Sequence, residues 1–101
     1  MKVTVFTLEH CPNCEKLKEL LNKYGFFFTE LDLNNTLQEE VISMRMKGIF
    51  PRVAPVLLIQ TNGEIPTTRY IESEYLFTPD GDLSAEAKAE LIIKADCGIP
   101  R

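Results

Sequence analysis

No apolar run in the 101 residues approaches the ~20 that a membrane-spanning helix needs, so the chain is not expected to span or partner a membrane. Positive charge is also scarce. The 11 Lys and Arg stand against 15 Asp and Glu, a net charge of -4. That balance argues against nucleic acid as a partner, because phosphate binding needs a clustered basic surface. There are no internal repeats, low-complexity tracts or domain linkers, and a chain of this length reads as a single domain, 1–101. The start lacks the ordered charged, apolar and cleavage regions of a secretory signal, because Met1 leads at once into the alternating Lys2-Val3-Thr4-Val5-Phe6. A cytoplasmic monomer is therefore expected. Three cysteines are too few for a disulfide framework in that setting; catalysis or metal binding is the better use of them.

The chain is 45% hydrophobic and 26% charged, the composition of an ordinary globular protein able to fold around its own core. Residues 3 to 7 read as a buried strand ended by Glu9-His10 and Pro12. Pro12 suits a first helical position, since its φ is already helical and its missing N–H would have no partner there. Cys14, Leu17, Leu20 or Leu21, and Tyr24 then recur on one helical face, and Gly25 stops the helix. Phe26 to Leu33 is a second strand, giving a right-handed parallel βαβ unit. Asn35 and Gln38 resemble a capping box for a second helix with Leu37, Val41, Met44 and Gly48 inward, which Pro51 ends.

Val56 to Ile59 is a third strand, and Asn62-Gly63 is a strong hairpin signal. Pro66 pushes the start of the fourth strand to Thr67, and it runs to Ile71. Ser84 caps a last helix whose Ala87, Leu91 and Ala95, with Ile92 beside them, face inward before Gly98. Residues 72 to 83 are too apolar for a plain loop, with Tyr75, Leu76 and Phe77 ahead of the turn Pro79-Asp80-Gly81. A short strand or a flap packed on the core are both open.

The chemistry lies in Cys11-Pro12-Asn13-Cys14, a C-x-x-C directly after a strand and opening a helix. Two intervening residues bring both sulfurs to one turn, within reach of a disulfide. The first sulfur stands outside the helix and can attack; the second is shielded and can resolve. Unpaired N–H groups and the positive end of the helix dipole favour a thiolate at Cys11. Lowering a thiol pKa from ~8.5 to ~6 takes about 3.4 kcal/mol, and a helix end supplies at most ~2, so specific hydrogen bonds must add the rest. A rival reading is a metal or iron–sulfur module built from Cys11, Cys14, His10 and Cys97. Otherwise His10 and Glu9 are solvated loop residues, and Cys97 is an inert thiol beyond the last helix.

Two segments resemble the glutaredoxins of the thioredoxin superfamily. F-T-L-E-H-C-P-N-C, residues 6 to 14, is similar to their strand end and C-P-x-C site, and V-A-P-V-L-L-I, residues 53 to 59, to their cis-proline segment before the third strand. The resemblance implies an α/β thioredoxin/glutaredoxin fold, β-α-β-α-β-β-α, with a four-stranded mixed sheet flanked by helices. It implies a protein-disulfide reductase and electron carrier with Cys11 and Cys14 catalytic and no bound cofactor or metal. Cis peptides are nearly confined to X-Pro bonds, and the resemblance places one at Ala54-Pro55, leaving the Ala54 backbone to pair with a substrate strand. Ala54, Pro55, Pro12 and Asn13 are then the substrate-contacting residues.

The resemblance also leaves two electron donors, thioredoxin reductase or glutathione. Glutathione-binding members carry a basic residue where Leu8 stands, and a Gly-Gly step that does not follow Arg69-Tyr70-Ile71 here. Arg52 or Lys47 are the remaining cations able to meet its carboxylates. Thr7 matches the redoxins that serve ribonucleotide reductase, although their C-terminal aromatic motif is missing; disulfide-containing proteins, that enzyme among them, are the implied substrates.

Overall fold

The computed structural model describes residues 2–51, 53–62 and 64–98, with backbone alone from 93 to 98. Strand β1 (Lys2–Thr7) leads into helix α1 (Pro12–Lys23), then β2 (Thr29–Asp32), α2 (Glu39–Met46), β3 (Val56–Thr61), β4 (Thr67–Ile71) and α3 (Ala85–Gly98). This is the element order that the resemblance implies. The sheet order is β2-β1-β3-β4, with β1 and β2 parallel and the other two pairs antiparallel. A four-stranded mixed sheet is therefore present as expected.

Alternation along β1 and β3 divides the core between the two faces of the sheet. Val3, Val5, Leu57 and Ile59 pack with Leu17 and Leu21 of α1 and with Ala87 and Leu91 of α3. Phe6, Val56 and Leu58 point the other way, onto Cys14, Leu33, Val41, Met44 and Ala54. The second cluster is what seats the C-x-x-C segment, because Cys14 is one of its members.

Both glycine signals act as helix stops. Gly25 lies at φ 81, and beyond it Phe26 N–H donates to the Leu21 carbonyl while Gly25 N–H donates to Asn22, which closes α1 with the two bonds of a Schellman motif. Gly48, at φ 82, repeats this for α2 through Ile49 to Met44 and Gly48 to Arg45. Gly48 was expected on the inner face of α2 and is instead its terminator.

Other boundaries also differ from the sequence reading. The second strand is confined to Thr29–Asp32. Phe26 belongs to the helix cap, and Phe27 is 96% exposed, so aromatic composition is overridden by the turn that Gly25 starts. Asn35 does not cap α2. Its side-chain oxygen accepts from Leu37 N–H at 3.2 Å, forming a turn ahead of the helix, and Gln38 takes the cap position without a side-chain bond. Leu37 consequently lies outside α2 and is exposed, and Ile92, expected inward, is exposed as well. Helix α3 runs on through Cys97 to Gly98, so Cys97 is helical rather than beyond the helix. Its side chain, that of Ala95, and the residues Arg52 and Gly63 lie outside the described residues. Ser84 does cap α3, its Oγ accepting from Ala87 N–H at 3.1 Å.

Residues 72 to 83 form the flap alternative. A 3-10 turn (Ser73–Tyr75) precedes a single bridge between Phe77 and Leu83, and Leu76 and Leu83 are fully buried against the α1/α3 side of the core. Asp82 fastens this flap to both helices. Its carboxylate takes Lys88 Nζ at 2.8 Å, the Tyr24 hydroxyl at 2.8 Å and Leu83 N–H at 2.8 Å. The Lys88 contact first, then Tyr24 and Leu83, hold its pKa down to about 2, against 3.8 for an ordinary side chain. Tyr24 therefore serves the flap from a partly exposed position rather than the buried face of α1.

A depressed carboxylate pKa stabilises the fold fully above the unfolded value and loses that contribution as pH falls through the folded one. Asp82→Asn is thus expected to lower the urea midpoint at pH 7, and the gap to the parent should close between about pH 5 and 2. A gap that persists at pH 2 would show that the charge of Asp82 is not what fastens the flap.

Candidate active site

Cys11 is the N-cap of α1, with extended backbone at φ -112 and ψ 97, and Pro12 is the first helical residue. Helix geometry then turns the following N–H groups back on the cap residue. Cys14 N–H donates to Cys11 Sγ at 3.1 Å, and Cys14 and Glu15 N–H both reach the Cys11 carbonyl. Cys11 and Cys14 are joined as a disulfide, with Cα atoms 5.2 Å apart. The two sulfurs sit in unlike surroundings. Cys14 is 2% exposed among Phe6, Met44 and Val56, whereas Cys11 is half-buried and faces solvent.

On the far side of the disulfide the Ala54-Pro55 peptide bond is cis, as the resemblance implies. Cys11 Sγ lies 3.6 Å from the Ala54 carbonyl oxygen. That carbonyl was expected to be free for a substrate strand, and in this disulfide state it points at the sulfur. Ala54 and Pro55 are both buried, while Pro12 and Asn13 are exposed at the helix start. The structure thus gathers Cys11, Cys14, Pro12, Ala54 and Pro55 at one end of the sheet, with Asn13 on the exposed turn beside them.

His10 is exposed and takes φ 54, a left-handed conformation uncommon outside glycine, immediately before the N-cap. Nothing in the composition signals it. It reverses the chain between the end of β1 and the start of α1. Also unforeseen is a groove of about 780 Å³ bounded by the β1–α1 connection, the first turn of α1 and β2, with Cys11 in its lining. Parallel pairing creates it, since Thr7 of β1 lies opposite Asp32 of β2. Lys18 bridges the α1 and β2 walls, contacting Glu15 at 2.7 Å and Glu30 at 3.1 Å, and these two carboxylates raise its pKa.

Among the described residues no group of three or more His, Cys, Asp or Glu could hold a metal ion, and the side chain of Cys97, one of the four ligands proposed for a metal, lies outside them. Of the two cations weighed for glutathione, Arg52 is outside the described residues, and Lys47 is exposed with its ammonium 5.3 Å from the centre of the Tyr70 ring. Burial first, and the Glu40 charge second, raise the pKa of that tyrosine. No helix among the described residues is long and apolar enough to cross a membrane.

Comparison with known proteins gives this geometry its setting. Residues 3–62, more than half of the chain, match the glutaredoxin family model. The chain belongs to the glutaredoxin family. The matched stretch contains β1 from Val3 onward, α1, β2, α2 and all of β3, and hence Cys11, Cys14 and the Ala54-Pro55 bond. A glutaredoxin 1 of Rickettsia prowazekii (strain Madrid E) is 40% identical over 38 residues, which is 38% of this glutaredoxin-family chain and 40% of that protein. The chain therefore matches well under two thirds of that relative. The solved structure of the glutaredoxin-like protein NrdH-redoxin from Escherichia coli, described as having a thioredoxin-like activity profile, superposes with a TM-score of 0.45 at 22% identity. That superposition covers 66% of this chain and 80% of the other.

Proposed function

We propose that this protein is a dithiol thiol-disulfide oxidoreductase that reduces protein disulfides through Cys11 and Cys14. One observation carries the reading: an accessible sulfur at the open end of α1, bonded to a buried sulfur one turn on and held by that residue's N–H at 3.1 Å. In the reduced protein the same N–H, with the helix end, stabilises a Cys11 thiolate. The thiolate attacks one sulfur of a substrate disulfide; that bond breaks, and the leaving sulfur departs as a thiolate that takes a proton from water. Cys14, deprotonated in turn, attacks Cys11 and expels the second substrate thiol. Two electrons pass to the substrate, and the Cys11–Cys14 disulfide remains. Pro12 and Asn13 at the helix start, with Ala54 and Pro55 opposite, are the surfaces a substrate meets.

The disulfide is reopened by thioredoxin reductase in preference to glutathione. Support for this comes from Leu8, where glutathione-binding relatives have a base, and from Glu72 and Glu74, which follow β4 in place of a Gly-Gly step. The cytosol, whose thiol pools keep such a dithiol reduced, is the proposed setting. Thr7 makes the disulfide of ribonucleotide reductase the first substrate to try. In an insulin-reduction assay, thioredoxin reductase with NADPH should sustain turnover at least about tenfold faster than glutathione with its reductase. The reverse order would overturn the donor assignment, and turnover with neither would overturn the function.

A further inference from the structure

The groove beside Cys11 carries charge that disulfide exchange itself does not require. Its lining includes Leu8 and Leu31 together with four carboxylates, Glu9, Glu15, Glu30 and Asp32, and no Lys or Arg among the described residues. Lys18 compensates Glu15 and Glu30 from the edge. Glu9 and Asp32 have no ion-pair partner among the described residues, and they come from different elements, the β1–α1 connection and the end of edge strand β2. Because Asp32 pairs with Thr7, two residues before Glu9, the register of β1 and β2 brings these carboxylates to one wall. A segment of substrate lying in this open groove while its disulfide reaches Cys11 passes over a negative surface of exposed carboxylates, whose pull is felt at low ionic strength and is screened by salt.

We propose that this groove selects protein substrates whose disulfide is flanked by Lys or Arg, and works against anionic disulfides. The inference rests on the disulfide-reductase reading and adds its substrate class. Apolar lining accommodates the alkyl stems of Lys and Arg, and Glu9 and Asp32 receive their charged ends. Glutathione disulfide, a small anion, meets charge of its own sign on this side of Cys11.

The test uses the full chain, reduced beforehand, so that no donor enters. Three synthetic peptides share one internal disulfide and differ only in flanking residues, Lys-Arg, Ser-Ser or Glu-Asp, and single-turnover rates are measured. At about 20 mM salt the Lys-Arg peptide should react at least about tenfold faster than the Glu-Asp peptide, and at about 0.5 M the ratio should fall to within about twofold. In the double variant Glu9→Gln/Asp32→Asn the low-salt ratio should drop to about threefold. Equal rates for the charged peptides, with the Ser-Ser peptide still reduced, would overturn the selectivity and leave the redox function standing. No reduction of any peptide would overturn the function itself. A ratio unchanged in the double variant would assign the preference to the net charge of the whole protein and overturn the role of the groove.

Discussion

Cys11→Ser is expected to lower disulfide-reductase turnover by about 10³-fold or more, because a serine hydroxyl at the same helix end is a far weaker nucleophile than a thiolate. The companion Cys14→Ser should behave differently. It leaves the attacking sulfur in place and removes the resolving one, so a covalent adduct between Cys11 and a substrate cysteine should accumulate. Mass spectrometry of the quenched reaction detects that adduct, and dithiothreitol should release it. The asymmetry follows from burial: Cys11 faces solvent and Cys14 is enclosed by the α2 side of the core. If Cys11→Ser kept a tenth of the parent rate, or if the adduct formed on Cys14 instead, the assignment of the two sulfurs would be wrong. Both substitutions should leave the far-UV spectrum unchanged, since the fold rests on two apolar clusters that do not need the disulfide.

The largest loss of stability is expected from Phe6→Ala, at about 3–5 kcal/mol. Phe6 is fully buried on β1, which is paired on both sides, and it packs in the cluster that also holds Cys14, Met44 and Ala54. Truncation leaves a hole that paired strands cannot close by moving together. Against a total of about 5–15 kcal/mol for a small domain, that is roughly a fifth or more of the stability. Phe27→Ala provides the contrast. The same substitution at a side chain 96% exposed should change stability by no more than about 0.5 kcal/mol. Urea unfolding followed by circular dichroism measures both, as the chain has no tryptophan to report by fluorescence. A Phe6→Ala cost near that of Phe27→Ala would mean that the α2 side of the core is not packed as described. Phe6→Ala should also loosen the seat of Cys14, so loss of activity in this variant would accompany loss of stability.

Residues whose effect is local were legible in the sequence. Cys11, Pro12 and Cys14 imply a helix start bearing two sulfurs, because a cap, a first-turn proline and one turn of spacing involve only neighbours. Gly25 as a stop and Ser84 as a cap belong to the same class, since each satisfies backbone groups a few residues away. The largely apolar stretches 3 to 7 and 56 to 59 likewise located the two central strands, whose burial on both faces leaves little choice of conformation. The Ala54-Pro55 isomer was legible through family resemblance, as a proline alone does not specify it.

Readings failed where a neighbour distant in sequence decides the outcome. Phe26 to Phe28 have strand-forming side chains, yet the cap bond to Leu21 commits Phe26 to the end of α1 and the ladder begins only at Thr29. Leu37 and Ile92 are apolar at plausible spacing, but the sheet offers them no surface to cover. Tyr24 and Asp82 are 58 residues apart, and their bond exists only because the flap folds back over α1.

The groove that flanks Cys11 is the fullest case of this division. The sequence by itself determined which atoms carry out the exchange, since that chemistry needs two thiols and one helix end, all within four residues. Only the tertiary structure decided what stands beside them. Glu9 belongs to the cysteine loop, but Asp32 comes to its side through the parallel pairing of Thr7 with Asp32, a contact made by backbone hydrogen bonding that side-chain identity does not encode.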